Sequence, residues 1–133
     1  MIYATRVLGF VNAPALMQRI VAELTSAQVD VEIYERRRNA FTDVLDEAGI
    51  NYAKPDGAFY LFCQVPARKV SGNQASDSTG EDLAFVDHLK KQLILGVPGR
   101  GFGKAGWLRF AYCVDEKIIR ASGPAFKKAM EEW

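Results

Sequence analysis

The sequence predicts an α+β fold in which helices cover one face of a small mixed or antiparallel sheet of three to four strands. Two helical patterns come first, two strongly apolar runs follow with a polar stretch and a helix between them, and a last helix ends the chain. This order of elements is typical of a sheet layer covered by helices. The chain has 133 residues, 49% of them hydrophobic, so one domain can bury roughly 65 to 70% of the surface that the unfolded chain exposes.

Charge and composition limit the classes of partner. The chain carries 17 lysines and arginines against 16 aspartates and glutamates, and a net charge of +1 supplies no field that attracts a phosphate backbone. Two cysteines and one histidine are too few for a zinc site. No apolar stretch approaches the roughly 20 residues of a membrane span. We therefore expect a soluble, cytoplasmic protein without a nucleic-acid or membrane partner.

Two helices are predicted in the first half of the chain. Asn12 is a capping residue that precedes Pro14, so we expect a helix over residues 12–24. A longer helical pattern runs from about residue 27 to Ala48, and Gly49 is expected to end it. Residues 36–38 are three successive arginines, which point in different directions around a helix; we expect them to be solvated or paired with neighbouring acids.

The second half predicts two strands and two further helices. Residues 58–65 hardly alternate, which predicts a central strand buried on both faces, and residues 67–80 are a polar loop. A helix follows in which Thr79 and Asp82 form a capping-like arrangement and the apolar face consists of Leu83, Val86, Leu89 and Leu93. Residues 107–114 predict the second strong strand. Asp115 is expected to cap a last helix that Gly123-Pro124 kinks or splits.

The glycine-rich stretch at residues 96–103, GVPGRGFG, has two interpretations. A phosphate-binding loop follows a strand and opens a helix, whereas a strand follows here and no Gly-Lys-Ser/Thr ending is present. We favour a tight bend between two strands, with a positive φ at several positions.

Arg109 is the most pointed candidate for a functional residue. It is a permanent cation between Leu108 and Phe110 in an apolar strand. Beside an aromatic-lined cleft, its guanidinium could hold a carboxylate through two parallel hydrogen bonds. The other interpretation, a structural ion pair with an acid at the edge of the core, stays open at this point.

Several motifs together resemble the C-terminal part of the fold-type I, pyridoxal-phosphate-dependent aminotransferases of the aspartate aminotransferase class. PDGAFYLF at residues 55–62 is followed by VPG at 97–99, FG at 102–103 and WLRF at 107–110. Upstream, residues 12–18 are similar to the family's Asn-Pro segment that leads to a glutamine, and residues 34–38 are similar to its Tyr-x-x-Arg-Arg stretch. The resemblance covers nearly the whole chain, and the ordered set is far more specific than any one motif.

The resemblance implies a role for specific residues. Arg109 falls on the arginine that binds the substrate's α-carboxylate, so the substrates would be an amino acid and a 2-oxo acid. Val11 and Asn12 fall on a loop near the active site of the partner subunit in the family's homodimers, where a small hydroxyl often contacts the cofactor phosphate. Val11 has no hydroxyl. The cofactor would be pyridoxal phosphate.

The resemblance also implies that this chain is only part of an enzyme. The family's Schiff-base lysine lies in a large domain that precedes this region, and it has no counterpart here, so no catalytic residue is assigned in this chain. We expect residues 1–27 to link to that large domain, residues 28–133 to form the C-terminal small domain, and the fragment alone to be inactive without bound cofactor. The alternative is a stand-alone module for amino-acid binding or dimerisation, without catalysis.

Overall fold

A computed structural model describes residues 2–9, 12–68 and 80–133 of the chain, with the side chains of Ile2 and Thr5 left out. The chain divides into two compact units, Met1–Asp30 and Val31–Trp133. Among the described residues, no helix has the length and hydrophobicity to cross a bilayer. No group of three or more His, Cys, Asp or Glu side chains in the same ranges could hold a metal ion.

The described residues form six α-helices, one 3-10 helix and four short strands. In chain order the elements are α1 (Ile2–Val7), α2 (Ala15–Glu23), α3 (Val31–Ala48), β1 (Tyr52–Ala53), β2 (Tyr60–Gln64), α4 (Glu81–Lys90), β3 (Val97–Pro98), the 3-10 helix (Gly99–Phe102), β4 (Trp107–Ala111), α5 (Glu116–Ala121) and α6 (Gly123–Glu132). The helices α1 and α2 are the regular elements described in the first unit, and the second unit contains the sheet.

The sheet is antiparallel with strand order β1-β2-β4-β3. The two long strands lie at its centre, with Phe62 opposite Arg109 and Leu61 opposite Phe110. Because side chains alternate along a strand, this register separates the sheet into two faces. The predicted α+β fold with a small sheet is confirmed.

The helices cover one face of this sheet. Leu61 and Leu108 on that face have no exposed surface. Phe110 packs edge-on against Phe41 of α3 and Phe126 of α6, with ring centroids 5.6 Å apart in both pairs. Such aromatic pairs stabilise a core by about 0.5–1.5 kcal/mol each beyond the area they bury.

The other face of the sheet is only partly covered. Tyr60, Phe62 and Arg109 are half-buried, and Gln64 is exposed. The prediction that residues 58–65 form a strand buried on both faces is therefore wrong for this chain, although the central position is correct. The apolar pattern of β2 is typical of a strand that is buried on both faces. Among the described elements, the helices bury only one face of this sheet.

Several predicted helix ends are shifted. Asn12 does not cap α2, which begins at Ala15 after Pro14 with no side-chain cap bond. Helix α3 begins only at Val31, whereas Gly49 does end it, with a φ of +71°. The adjacent arginines behave as expected, because Arg36 and Arg38 pair with acids one turn earlier on α3.

Helix α4 differs from its prediction in the face that it buries. Leu83 is 44% exposed and Leu93 is 91% exposed. Leu93 lies beyond the helix end at a φ of +59°, so it does not continue the apolar stripe. The buried face consists of Asp82, Phe85, Val86, His88 and Leu89. Thr79 and residues 69–79 of the predicted polar loop lie outside the described residues.

The last helix is divided as predicted. Asp115 accepts a hydrogen bond from the backbone N–H of Lys117 at 2.8 Å and so caps α5. Gly123 and Pro124 then open α6. Pro124 has no N–H to donate, which is tolerated in the first turn of a helix.

Candidate functional site

Arg109 lies in the middle of β4, on the partly covered face of the sheet. Its register partners are Phe62 on β2 and Val97 on β3. The strand alternation that buries Leu108 and Phe110 directs Arg109 to the opposite side. The sheet therefore holds the base of this side chain, and Arg109 as a whole residue is half-exposed.

Two aromatic rings contact the Arg109 guanidinium. Its Cζ atom lies 4.0 Å from the centroid of the Tyr60 ring and 4.1 Å from that of Phe102. Phe102 in turn meets Phe62 edge-on at 5.7 Å. A cation over an aromatic ring is stabilised by about 0.5–1 kcal/mol at exposed sites. The rings contact the guanidinium without using its N–H donors.

Arg109 has no carboxylate partner among the described residues. The structural ion pair that the sequence left open for this residue is therefore not found in those ranges. A guanidinium has five N–H donors in a planar fork that matches a carboxylate. This donor set on a partly covered face makes Arg109 the candidate residue for binding a carboxylate.

The ion pair at the edge of the core belongs to a different arginine. Asp82 at the start of α4 is fully buried and accepts hydrogen bonds from the backbone N–H of Arg100 at 3.2 Å and from its Nε at 3.0 Å. Its Oδ1 also accepts from an Nη atom of Arg100. Hydrogen bonding to Arg100 lowers the pKa of Asp82. Sequence reasoning missed this pair.

A signal for the buried aspartate was nonetheless present in the sequence. Asp82 precedes Phe85, Val86 and Leu89 by three, four and seven residues, so it shares their helix face. A carboxylate on an apolar face requires a partner. That spacing does not predict that the partner of Asp82 is Arg100, 18 residues away.

The glycine-rich stretch is a bend between antiparallel strands, as favoured from the sequence. It contains β3 and the 3-10 helix, and β4 follows it. Within residues 96–103 only Gly103 has a positive φ, +75°, so the expected set of several such positions is wrong. Gly99 is required by close packing and not by a positive φ, because a Cβ there would lie 2.4 Å from the carbonyl oxygen of Lys104.

One concavity on the second unit lies away from Arg109. It measures about 420 Å³ and lies between α3 and the chain that enters β2. Tyr112 borders it and donates a hydrogen bond to the carbonyl of Ala58 at 2.8 Å. Arg38 also lines it but is paired with Glu35. Arg109 therefore lies on an open sheet face rather than in this concavity.

The two other predicted site residues fall in the first unit. Asn12 is described and exposed. Val11 lies outside the described residues. Within the same unit, Gln18 donates a hydrogen bond from Nε2 to the carbonyl of Ala13 at 2.6 Å. Their relation to Arg109 stays a prediction.

Comparison with known proteins identifies the family. The model of the family "Aminotransferase class I and II" matches residues 3–121. This chain belongs to the class I and II aminotransferases. The resemblance inferred from the ordered motifs is thereby confirmed.

Individual relatives agree with this assignment. The crystal structure of an amino transferase from Eubacterium rectale is 34% identical, with a TM-score of 0.80 over 98% of this chain and 30% of that one. The aromatic-amino-acid aminotransferase 2 of Thermococcus litoralis is 30% identical over 74% of this chain and 24% of its own length. The aspartate aminotransferase of Streptomyces avermitilis is 28% identical over 85% and 28% respectively. The aminotransferase chain thus spans less than a third of the length of these relatives.

The described lysines of this aminotransferase chain do not fit a pyridoxal phosphate site. A lysine that forms a Schiff base must be desolvated beside its carbonyl partner. Each lysine in the described ranges is exposed; for example, Lys104 lies 3.9 Å above the ring of Trp107, and Lys127 pairs with Glu47 at 2.9 Å. Lys69 lies outside those ranges. We therefore derive no chemical step through the cofactor on the described residues.

Proposed function

We propose that this chain is the C-terminal small domain of a pyridoxal-phosphate-dependent aminotransferase, which transfers an amino group between an amino acid and a 2-oxo acid. Within that protein Arg109 binds the α-carboxylate of both substrates. The observation that carries the proposal is the Arg109 guanidinium, which contacts two aromatic rings and has no acid partner among the described residues. A family motif at the same residue supports it.

The chemistry of this arrangement suits α-carboxylate recognition. The stacked rings of Tyr60 and Phe102 restrict the long arginine side chain before a ligand arrives, which lowers the entropy cost of binding. Two parallel hydrogen bonds then fix both the position and the plane of the carboxylate. Such positioning orients the substrate's Cα relative to the reacting groups.

The partly covered face of the sheet supports the proposal that a large domain lies on that side. Tyr60 and Phe62 alternate with buried residues but remain half-exposed, which is the pattern expected of a face that another domain covers. We propose that the large domain supplies the lysine and the remaining cofactor contacts. In this view residues 1–27 link the domains and residues 28–133 form the small domain; the division of the chain at Asp30 supports that boundary.

Exposed apolar side chains in the first unit support burial in a larger assembly. Helix α2 has no buried residue, and Leu16, Met17 and Val21 are each more than half exposed. Exposed apolar clusters of this kind mark interaction sites. We propose a homodimer in which the loop with Val11 and Asn12 lies near an active site, and the free thiols of Cys63 and Cys113 support a reducing, cytoplasmic location.

The isolated chain tests the proposal that the lysine and the cofactor contacts come from the large domain. We expect it neither to bind pyridoxal phosphate at one lysine nor to transaminate. The measurement is the visible absorption of the chain after addition of the cofactor, with and without borohydride. Stoichiometric, borohydride-sensitive absorption from one lysine, together with turnover, would overturn the proposal.

A stand-alone amino-acid-binding module is the second candidate, because Arg109, the residue proposed to bind the carboxylate, lies within this chain. Calorimetric titration with aspartate, alanine and an aromatic amino acid separates the two. A binding module gives saturable heat that Arg109→Lys removes, whereas a small domain without its large domain gives none.

A further inference from the structure

The 3-10 helix Gly99–Phe102 connects a buried carboxylate to the candidate substrate arginine. Of the acidic side chains in the described part of the chain, only Asp82 is buried. Its carboxylate accepts hydrogen bonds from both the backbone N–H and the guanidinium of Arg100. Because both the backbone and the side chain of Arg100 donate to it, Asp82 holds the backbone of this residue in place as well as its guanidinium.

The turn around Arg100 has little freedom to move. Gly99 packs so closely that an added Cβ would lie 2.4 Å from the Lys104 carbonyl oxygen and 2.6 Å from that of Trp107. The turn is therefore pressed against the backbone that enters β4. Its position depends on the Asp82 carboxylate on one side and on this backbone on the other.

Phe102 links the 3-10 helix to Arg109. It lies two residues after Arg100 in the same short helix, and its ring is 4.1 Å from Cζ of Arg109. Phe102 as a residue is 45% exposed, and its ring also packs edge-on against Phe62. The backbone of the turn must then hold Phe102 in place.

We propose that Asp82 and Arg100 are positioning residues for Arg109. Their buried ion pair fixes the 3-10 helix, and Phe102 at the end of this helix holds the guanidinium in the orientation that receives a carboxylate. The inference rests on the proposed function of Arg109. An arginine side chain has many rotamers, so this support removes disorder before the substrate binds.

The side-chain NMR signal of Arg109 tests the inference in this chain. A proton over an aromatic ring resonates upfield, so the Nε–H proton of Arg109 is expected upfield of the exposed arginines; Arg109→Lys identifies the signal by its loss. In Asp82→Asn, this signal is expected to move to the frequency of the exposed arginines or to broaden. The matched control is Asp43→Asn, which removes only an exposed ion pair with Arg120 and should leave the signal unchanged.

Two results would overturn the inference. One is a wild-type Arg109 signal at the frequency of the exposed arginines. The other is an unshifted Arg109 signal in a folded Asp82→Asn variant. If that variant does not fold, Arg100→Lys replaces it, since Arg100 is partly exposed and its replacement leaves the core side chains in place. An unshifted Arg109 signal in Arg100→Lys would then overturn the inference. Substrate binding by Arg109 is not part of this readout, so failure of the proposed function would be seen separately, in the kinetics of an Arg109→Ala variant with an amino acid and its matching amine.

Discussion

Gly99 is the residue at which the bend beside Arg109 tolerates no side chain. A Cβ there would meet two backbone carbonyl oxygens at 2.4 and 2.6 Å. We expect Gly99→Ala to lower the free energy of unfolding by about 1–3 kcal/mol, because backbone atoms must move to accept it. Urea denaturation measures this change.

Gly101 supplies the matched control in the same turn. Nothing lies within 4 Å of a Cβ at Gly101, and its φ is not positive. We expect Gly101→Ala to change the free energy of unfolding by less than about 0.5 kcal/mol. Equal losses in the two variants would contradict the role given to Gly99.

The Asp82–Arg100 pair predicts a dependence of stability on pH. Hydrogen bonding to Arg100 lowers the pKa of Asp82 in the folded chain, so its contribution to stability is complete above the ordinary aspartate pKa of about 3.9. As the pH falls through the lower folded-state pKa, the carboxylate takes up a proton and the contribution is lost. We expect the wild type to lose more stability than Asp82→Asn between pH 5 and pH 2 in urea titrations; parallel losses would argue against this pair.

Single residues were unequally predictable from the sequence. Arg109 was found because a cation in an apolar strand is conspicuous and because the motifs around it resemble a family. The spacing from Thr79 to Asp82 predicts a capping-like arrangement, and Thr79 lies outside the described residues. The ion pair of Asp82 with Arg100 is not predictable in this way, because local spacing carries no information on a partner 18 residues away.

At the scale of elements, α5 and α6 offer a comparison of two helix starts. Asp115 accepts the Lys117 N–H at the start of α5, whereas Ser122 makes no cap bond at the start of α6. We expect Asp115→Ala to cost about 0.5–2 kcal/mol of stability. Ser122→Ala, which removes only a bond to the Ile119 carbonyl, should cost less, as measured by thermal or urea unfolding; the reverse order would contradict the assignment of the cap.

Elements were predicted more accurately in their centres than at their ends. Apolar spacing located α3, β2 and β4 because their cores are strongly periodic or continuous. The predicted start of α3 is too early, although Asp30, a residue type preferred at the N-cap, directly precedes Val31. Leu93 was assigned to the face of α4 because periodicity alone does not reveal that the helix ends at Lys90.

At the scale of the molecule, the main difference from the sequence prediction is informative. Residues 58–65 have the composition of a strand covered on both faces, yet Tyr60 and Phe62 are half-exposed. The chain also spans less than a third of the relatives described above. Both facts agree with the proposal that a further domain covers the Arg109 face. The composition of β2 predicts cover on both faces, but a sequence pattern does not show what supplies the second cover.

The most direct test compares an amino acid with the amine that lacks its carboxylate. It uses the longer protein that we propose, with and without Arg109→Ala, and measures kcat/KM for both compounds. The wild type should prefer the amino acid, and Arg109→Ala should reduce this preference by about 100-fold or more, by slowing the amino acid and not the amine. An unchanged preference in a variant that retains its cofactor would contradict the assignment of Arg109 as the residue that binds the α-carboxylate.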